Sequence, residues 1–442
     1  MRRHILAVLG LLVLAAIGVV AYLAWPDAAR LDVAAVSGAR PTITPPREQT
    51  LPTVKTADPI GWKAGEAPTP AAGLRVAAFA TGLDHPRWLY RLPNGDVLVA
   101  ETNSPPREGG GIQGWVMRHL LGKVGAGGPS ANRITLLRDA DGDGRAETRT
   151  VFMTGLTSPS GMALFDGQLY VANTDSLVRV PYTEGATSIT AKPELVVKLP
   201  GGGNHWARNV IPAEDGRTLY VSVGSASNVA EGGFAREKFR AAILQVYPKE
   251  KTFRVFATGL RNPNGMALVP GTNRLWTVVN ERDMLGSDLV PDYLTAVELG
   301  DNFGWPWYYW GGYVDTRVEP KNPELQQYVK RPDYALGPHV AALGLSFAGD
   351  AKLGGQFAQG AFVGEHGSWN RKPLSGYKVV FVPFDAAGWP VKGAKPADVL
   401  TGFVTPDGDA HGRPVGVITD RTGALLVADD VGNAIWRVTA AR

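Results

Sequence analysis

The chain contains no cysteine. That excludes disulfides, thiolate metal sites and covalent haem attachment through a C-x-x-C-H motif. Histidine is sparse, seven in 442 residues, so the position of each is informative. A strong charge of one sign is also lacking. The net charge is +4, with lysine and arginine scattered among acids, which argues against a nucleic-acid partner. Three catalytic signatures are missing: a G-x-G-x-x-G turn in a βαβ setting, a Walker loop and a G-x-S-x-G elbow. Nicotinamide dehydrogenases and serine hydrolases are disfavoured accordingly.

What is abundant is glycine, with 54 residues, and proline, with 33. That usage suits many short strands joined by turns. With 44% hydrophobic residues the chain can bury a core for one large domain or two ordinary ones. The N-terminus carries Arg2 and Arg3 ahead of an uncharged run from Ile5 to Trp25, about the ~20 residues that cross a bilayer. No small-x-small cleavage site follows closely, so an uncleaved anchor over residues 1–27 is favoured over a cleaved signal. The leading arginines place the N-terminus in the cytoplasm and the body on the far side, in a bacterium the periplasm. Residues 28–70, rich in Pro, Ala and Thr, read as a stiff linker.

From residue 71 to 442 one phrase recurs: a turn, a short apolar strand, a Gly/Asp/Asn turn and a second strand. It opens at Gly82, Gly155, Asn204 and Gly259, with weaker copies at Val340 and His411. Six hairpin units separated by further strand-like segments predict an all-β six-bladed β-propeller. Two stacked sandwiches are the alternative, but they do not call for the same phrase six times.

In a propeller the segments that open each repeat converge on one face. His205, in "GGGNHWARNV", is then a candidate general base, since an imidazole accepts a proton near neutral pH; the plainer reading is a loop histidine held by backbone. Arg261 and Asn262 open the fourth repeat, and Lys372 and Arg413 add cations from later ones. A buried arginine needs an anionic partner, from the protein or from a ligand. In "DADGDGRAE", Asp139, Asp141, Asp143 and Glu147 follow the front of a calcium loop with Gly144 at its sixth position, although position twelve is Thr150. Glu281, Asp283 and Asp288 form a second acidic stretch, a candidate for another calcium. "DNFGWPWYYWGGY", residues 301–313, reads as inter-blade core or as a sugar-stacking platform.

"GLDHPRWLYRLPNGDVLVAET", "LLRDADGDGRAE", "GLRNPNGMAL", "GDNFGWPW" and "HGRPVGV", in that order, resemble the sorbosone dehydrogenase-like branch of the pyrroloquinoline quinone (PQQ)-dependent sugar dehydrogenases. The resemblance covers nearly all of residues 71–442. It implies PQQ and calcium at the channel mouth and a small-molecule sugar or sugar aldehyde as substrate. It further implies a cytochrome or quinone as electron acceptor at the inner membrane, His205 as base, and Arg261 and Asn262 against the quinone. Lys372 and Arg413 fall near the family's cations for the PQQ carboxylates, and Glu281–Asp288 near its cofactor calcium. Departures are also present. The glucose enzymes carry Asp where this chain has Asn204, a calcium-binding Gly-Pro pair aligns with Asp283-Met284, and His411 and His339 stand at an arginine and a threonine that contact PQQ. A calcium-dependent lactonase and a non-catalytic binding propeller remain as alternatives.

Overall fold

In this computed structural model residues 26–49, 52–106 and 128–441 are described, with Leu14 and Gly18 before them. Six antiparallel four-stranded sheets are arranged as the blades of a propeller. Blade 1 comprises Pro86–Arg91, Val97–Glu101, Arg133–Arg138 and Thr148–Met153; blade 2 comprises Met162–Phe165, Gln168–Ala172, Ser176–Pro181 and Glu194–Lys198. Blade 3 holds Val210–Pro212, Leu219–Val223, Ala242–Tyr247 and Thr252–Thr258, and blade 4 holds Asn262–Leu268, Leu275–Asn280, Pro291–Val297 and Tyr334–Pro338. Blade 5 is built from Ala342–Phe347, Gly360–Glu365, Lys378–Pro383 and Ala397–Thr401, with Thr69–Pro70 added at its edge. Blade 6 takes Pro414–Thr419, Leu425–Asp429 and Ala434–Ala440 from the C-terminus and is completed by Leu74–Ala80. Each recurring phrase is the inner hairpin of one blade.

The apolar residues form a ring of cores rather than a single one. Six buried clusters each lie between two neighbouring blades, such as Leu98 and Ile134 of blade 1 against Leu169 and Val171 of blade 2. Sheets stacked face to face bury both surfaces, so second strands such as Val97–Glu101 are buried at every residue instead of alternating. Toward the axis the blades narrow until backbones touch. A Cβ on Gly161 would lie 2.5 Å from Val210 N, and one on Gly344 2.2 Å from Val415 O. This crowding explains the glycine in "SGMAL" and "LGL". In the aromatic run, Phe303, Tyr309 and Trp310 join the core between blades 3 and 4.

The N-terminal segment departs from the linker reading. Val36, Ser37, Thr53 and Ala57 are buried, and Arg47 N, Lys55 N and Ile60 N donate to Leu285, Trp369 and Ala410 carbonyls. Residues 26–49 and 52–66 thus lie along blades 4–6 as a strap, because their apolar side chains and backbone groups find partners there. The anchor expected over residues 1–27 falls almost wholly outside the described residues. Among the described residues no helix is long and apolar enough to cross a membrane.

Candidate active site

Within each blade the chain enters at one end of the inner strand and returns to that end after the second strand. Loops 199–209, 224–241, 259–261, 281–290, 339–341, 366–377, 402–413 and 430–433 therefore share one end of the propeller. The acidic loop 139–147 joins the outer strands of blade 1 and lies at the opposite end.

The glycine run before His205 is a tight turn clamped by two arginines. Gly202 and Gly203 have φ of 70° and 84°, and a Cβ on Gly203 would lie 2.7 Å from Ala226 Cα. Arg240 donates to the Gly201 and Gly202 carbonyls, and the buried Arg208 donates to Pro200, His205 and Ala207 carbonyls. His205 Nδ1 lies 2.9 Å from the Ser225 carbonyl and 2.9 Å from its hydroxyl. A carbonyl only accepts, so Nδ1 carries the proton and the basic lone pair sits on Nε2. Gly224 allows His205 to meet blade 4: a Cβ there would come 2.6 Å from His205 Cβ and 2.3 Å from Asn262 Oδ1.

Asn262 Nδ2 donates to Asn280 Oδ1 at 3.1 Å, which also accepts from Asn264. Arg261 is buried, donates to Glu281 and Asn228 carbonyls, and pairs with Asp283 at 3.2 Å. Asp283 also faces His339 Nδ1 at 3.3 Å, while His339 Nε2 lies 3.2 Å from the Gly286 carbonyl. Burial works against both charges, but the pairing prevails: His339 is held above its ordinary pKa by Asp283, and Asp283 below its own by His339 and Arg261.

A second cluster forms where blades 5, 6 and 1 meet. Arg413 is buried, donates to the Tyr377 hydroxyl at 2.7 Å and lies 4.9 Å from that ring's centre. Beside it the buried Asp430 accepts from Arg87 and from His366 Nε2, with His85 Nε2 at 3.4 Å. Burial pushes His366 down to about 4, so at neutral pH it is a neutral donor and Arg87 balances Asp430. Arg87 also lies 5.4 Å from the Trp206 ring centre, which ties this cluster to the His205 loop. Among the described residues, buried Arg413 Nε, Asp430 Oδ1 and both Glu365 oxygens have no hydrogen-bond partner.

His205, Arg261, Asn262, His339 and Arg413 thus come together, and four other expected residues do not. Lys372 is exposed, and its backbone instead anchors the strap through Ala29. His411 stacks on Trp62 at 4.8 Å, with Nδ1 2.9 Å from the Gly61 carbonyl. Glu281 is taken by Arg282 at 3.1 Å, and Asp288 by Arg47 at 3.0 Å. In the expected acidic calcium stretch the three carboxylates, Asp283 included, are each neutralised by a cation of the protein. Asp139, Asp141, Asp143 and Glu147 do converge, with one ligand oxygen from each within 4.8 Å of the others. The reading of the sequence passed over His85, Arg87, His366 and Asp430. His85 and Arg87 lie inside "GLDHPRWLYRLPNGDVLVAET", and Arg87 is the second residue of the first inner strand, near the place where Arg261 and Arg413 immediately precede theirs.

A family model described as TrAA12-like matches residues 129–291 and 295–441. The chain belongs to the TrAA12-like family. Membership agrees with the resemblance to PQQ-dependent sugar dehydrogenases. Aldose sugar dehydrogenase YliI of Escherichia coli (strain K12) is 24% identical over 315 residues, 66% of this chain and 78% of the relative. An uncharacterized protein of Borreliella burgdorferi is 29% identical over 294 residues, 64% of this chain and 76% of the relative. The structure of this TrAA12-like chain is similar to that of a Trichoderma reesei carbohydrate-active enzyme of family AA12. Their TM-score is 0.69 at 18% identity, covering 88% of this chain and 99% of the other. The holo form of the pyranose dehydrogenase PQQ domain from Coprinopsis cinerea gives 0.68 at 20% identity, covering 87% and 100%. At such identities the likeness establishes the shared fold.

Proposed function

We propose that this protein is a PQQ-dependent dehydrogenase of an aldose or sugar aldehyde. The observation that carries the reading is the buried Arg413, whose Nε lacks a partner within a cluster that also holds Arg87 and two neutral histidines. Such an environment suits a rigid polyanion, and proteins of similar fold include the pyranose dehydrogenase PQQ domain of Coprinopsis cinerea and the PQQ-bound aldose sugar dehydrogenase of Streptomyces coelicolor. Arg413 and Arg87 would hold its carboxylates, and Arg261 and Asn262 would line the far side. PQQ held there would supply the acceptor for the hydride of the sugar. His205 takes the hydroxyl proton at Nε2, with Ser225 fixing its tautomer and the arginine-clamped glycine turn fixing its place. No calcium step is assigned at the channel mouth, because the acids there already have cation partners. Calcium is assigned instead to Asp139, Asp141, Asp143 and Glu147, in a structural role.

The uncharged run behind Arg2 and Arg3 supports an N-terminally anchored enzyme facing the periplasm, passing electrons to a cytochrome or quinone. The test is full-length protein supplied with PQQ, calcium, a panel of sugars and a dye acceptor. His205→Gln is expected to lower turnover roughly 10²–10⁴-fold with unchanged PQQ affinity. Dye reduction that does not require PQQ overturns the reading. Lactone hydrolysis without PQQ would instead favour the lactonase.

A further inference from the structure

We propose that Trp62, which lies outside every blade, is a positioning residue that sets Arg413 for the cofactor through the carboxylate of Asp429. The proposal rests on the reading of Arg413 as a PQQ ligand. Asp429 ends the second strand of blade 6 and is fully buried. Its Oδ2 accepts from Trp62 Nε1 at 2.7 Å and Trp436 Nε1 at 3.0 Å, and its Oδ1 accepts from Arg413 N at 2.7 Å and Gly432 N at 2.8 Å. Four neutral donors thus hold one carboxylate, and three come from within blade 6 or its entry loop. The fourth comes from the strap, more than 360 residues away in sequence.

The fit around this junction leaves little slack. A Cβ on Gly412 would lie 2.1 Å from Asp429 Oδ2, and one on Gly432 2.6 Å from Trp62 Cδ1. The Trp62 ring stacks on His411 and meets Phe403 and Trp436 edge-on at 5.7 and 5.3 Å. Strap, entry loop 411–413 and return loop 430–433 are therefore pinned together at a single group. The two loops carry Arg413 and Asp430, the side chains with unpartnered buried atoms. The strands of blade 6 pair with one another without any help from Trp62. Its removal should accordingly disturb the loops and not the sheet. Without the indole N–H, a buried Asp429 lone pair loses its donor. The carboxylate then turns to seek another, and Arg413 loses its fixed backbone.

The test measures PQQ binding by calorimetry, with calcium present, on the full chain and on Trp62→Phe, Asp429→Asn, the double variant and Arg413→Ala. Trp62→Phe keeps a ring but removes the donor and should weaken PQQ about 10-fold, the scale of one hydrogen bond to a charged group. Turnover should recover when PQQ is raised to saturation. In the double variant the second substitution should add less than about 2-fold, because both act on one path. Wild-type affinity in Trp62→Phe alongside weak binding in Arg413→Ala overturns the inference, and so do independent, multiplying effects. Wild-type affinity in Arg413→Ala overturns the PQQ reading beneath it. If Trp62→Phe does not fold, Asp429→Asn tests the same path, and unchanged affinity there overturns it.

Discussion

Two acidic loops at opposite ends of the propeller are alike in sequence and opposite in physics. Residues 139–147 and 281–288 each place several carboxylates within a short stretch. In the first, the side chains are held by their own loop: Asp139 accepts from Gly142 N and Gly144 N, and Glu147 from Ala140 N. They gather at the surface and, among the described residues, without an arginine or lysine as ion-pair partner, a geometry that favours a hard cation. In the second, each carboxylate belongs to a cation of the protein: the adjacent Arg282 to Glu281, and, brought from elsewhere in the fold, Arg261 and His339 to Asp283 and Arg47 to Asp288. Local spacing assembles the first loop, and tertiary structure disarms the second.

The contrast breaks most sharply at Arg282. Its guanidinium is fully buried, paired with Glu281 and Asp315, and donates to Pro306 and Tyr308 carbonyls. Arg282→Met strands the buried Glu281, while Asp315 keeps Arg317 at 2.7 Å, and should cost about 3–5 kcal/mol in a denaturant titration. A loss below about 1 kcal/mol would mean that Glu281 answers to something else. At the other end, chelation should lower the melting temperature of the wild type. The loss corresponds to about 2.7 kcal/mol if calcium had been present at 100 times its Kd. Asp141→Ala should erase the difference between chelated and calcium-loaded melts. Melting indifferent to chelator in both proteins removes the calcium.

Glu365 sharpens the comparison because it has neither arrangement. Both oxygens are buried without a partner, and burial pushes its pKa up to about 8. A carboxyl raised in the fold contributes most below its unfolded pKa, and that contribution fades as pH climbs through the folded value. Between pH 5 and 8 the wild type should therefore lose stability. Glu365→Gln should flatten that decline by roughly 1 kcal/mol for each pH unit, read from melts at each pH. The smallest effect is expected at Lys372, whose side chain is exposed. Lys372→Ala should shift stability by less than about 0.5 kcal/mol and leave PQQ affinity unchanged. Weaker PQQ binding in this variant would return Lys372 to the site.

How far the sequence could be read follows the same division between local and distant causes. The six inner hairpins were legible because turn glycines and apolar strands repeat every time a blade begins. His205, Arg261 and Arg413 were legible because they open those units. The Arg87–Asp430–His366 cluster required Arg87, at the start of blade 1, to be compared with Arg261 and Arg413 at the start of theirs. Its acid, Asp430, follows a strand and carries no local mark. The ion pair of Asp288 was not legible, because its partner Arg47 comes from the strap, while the partner of Glu281 is its own neighbour Arg282. The strap itself looked like a linker, since proline-rich chain without periodicity gives no sign of the surface it will cover.

The closure of blade 6 has a consequence for biosynthesis. Leu74–Ala80 pairs with Ala434–Ala440, so the first strand of the propeller waits for the last. Blades 1 to 5 can assemble as the chain emerges, but the ring remains an open arc until Ala434–Ala440 has emerged. Arg413 enters that same blade, whose closing strand Ala434–Ala440 follows it in the chain. Until the ribosome has released those residues, the nascent protein can have no finished channel mouth. A premature stop anywhere in the last blade should therefore yield a chain with five blades' worth of buried surface, an unpaired first strand and no capacity to be loaded.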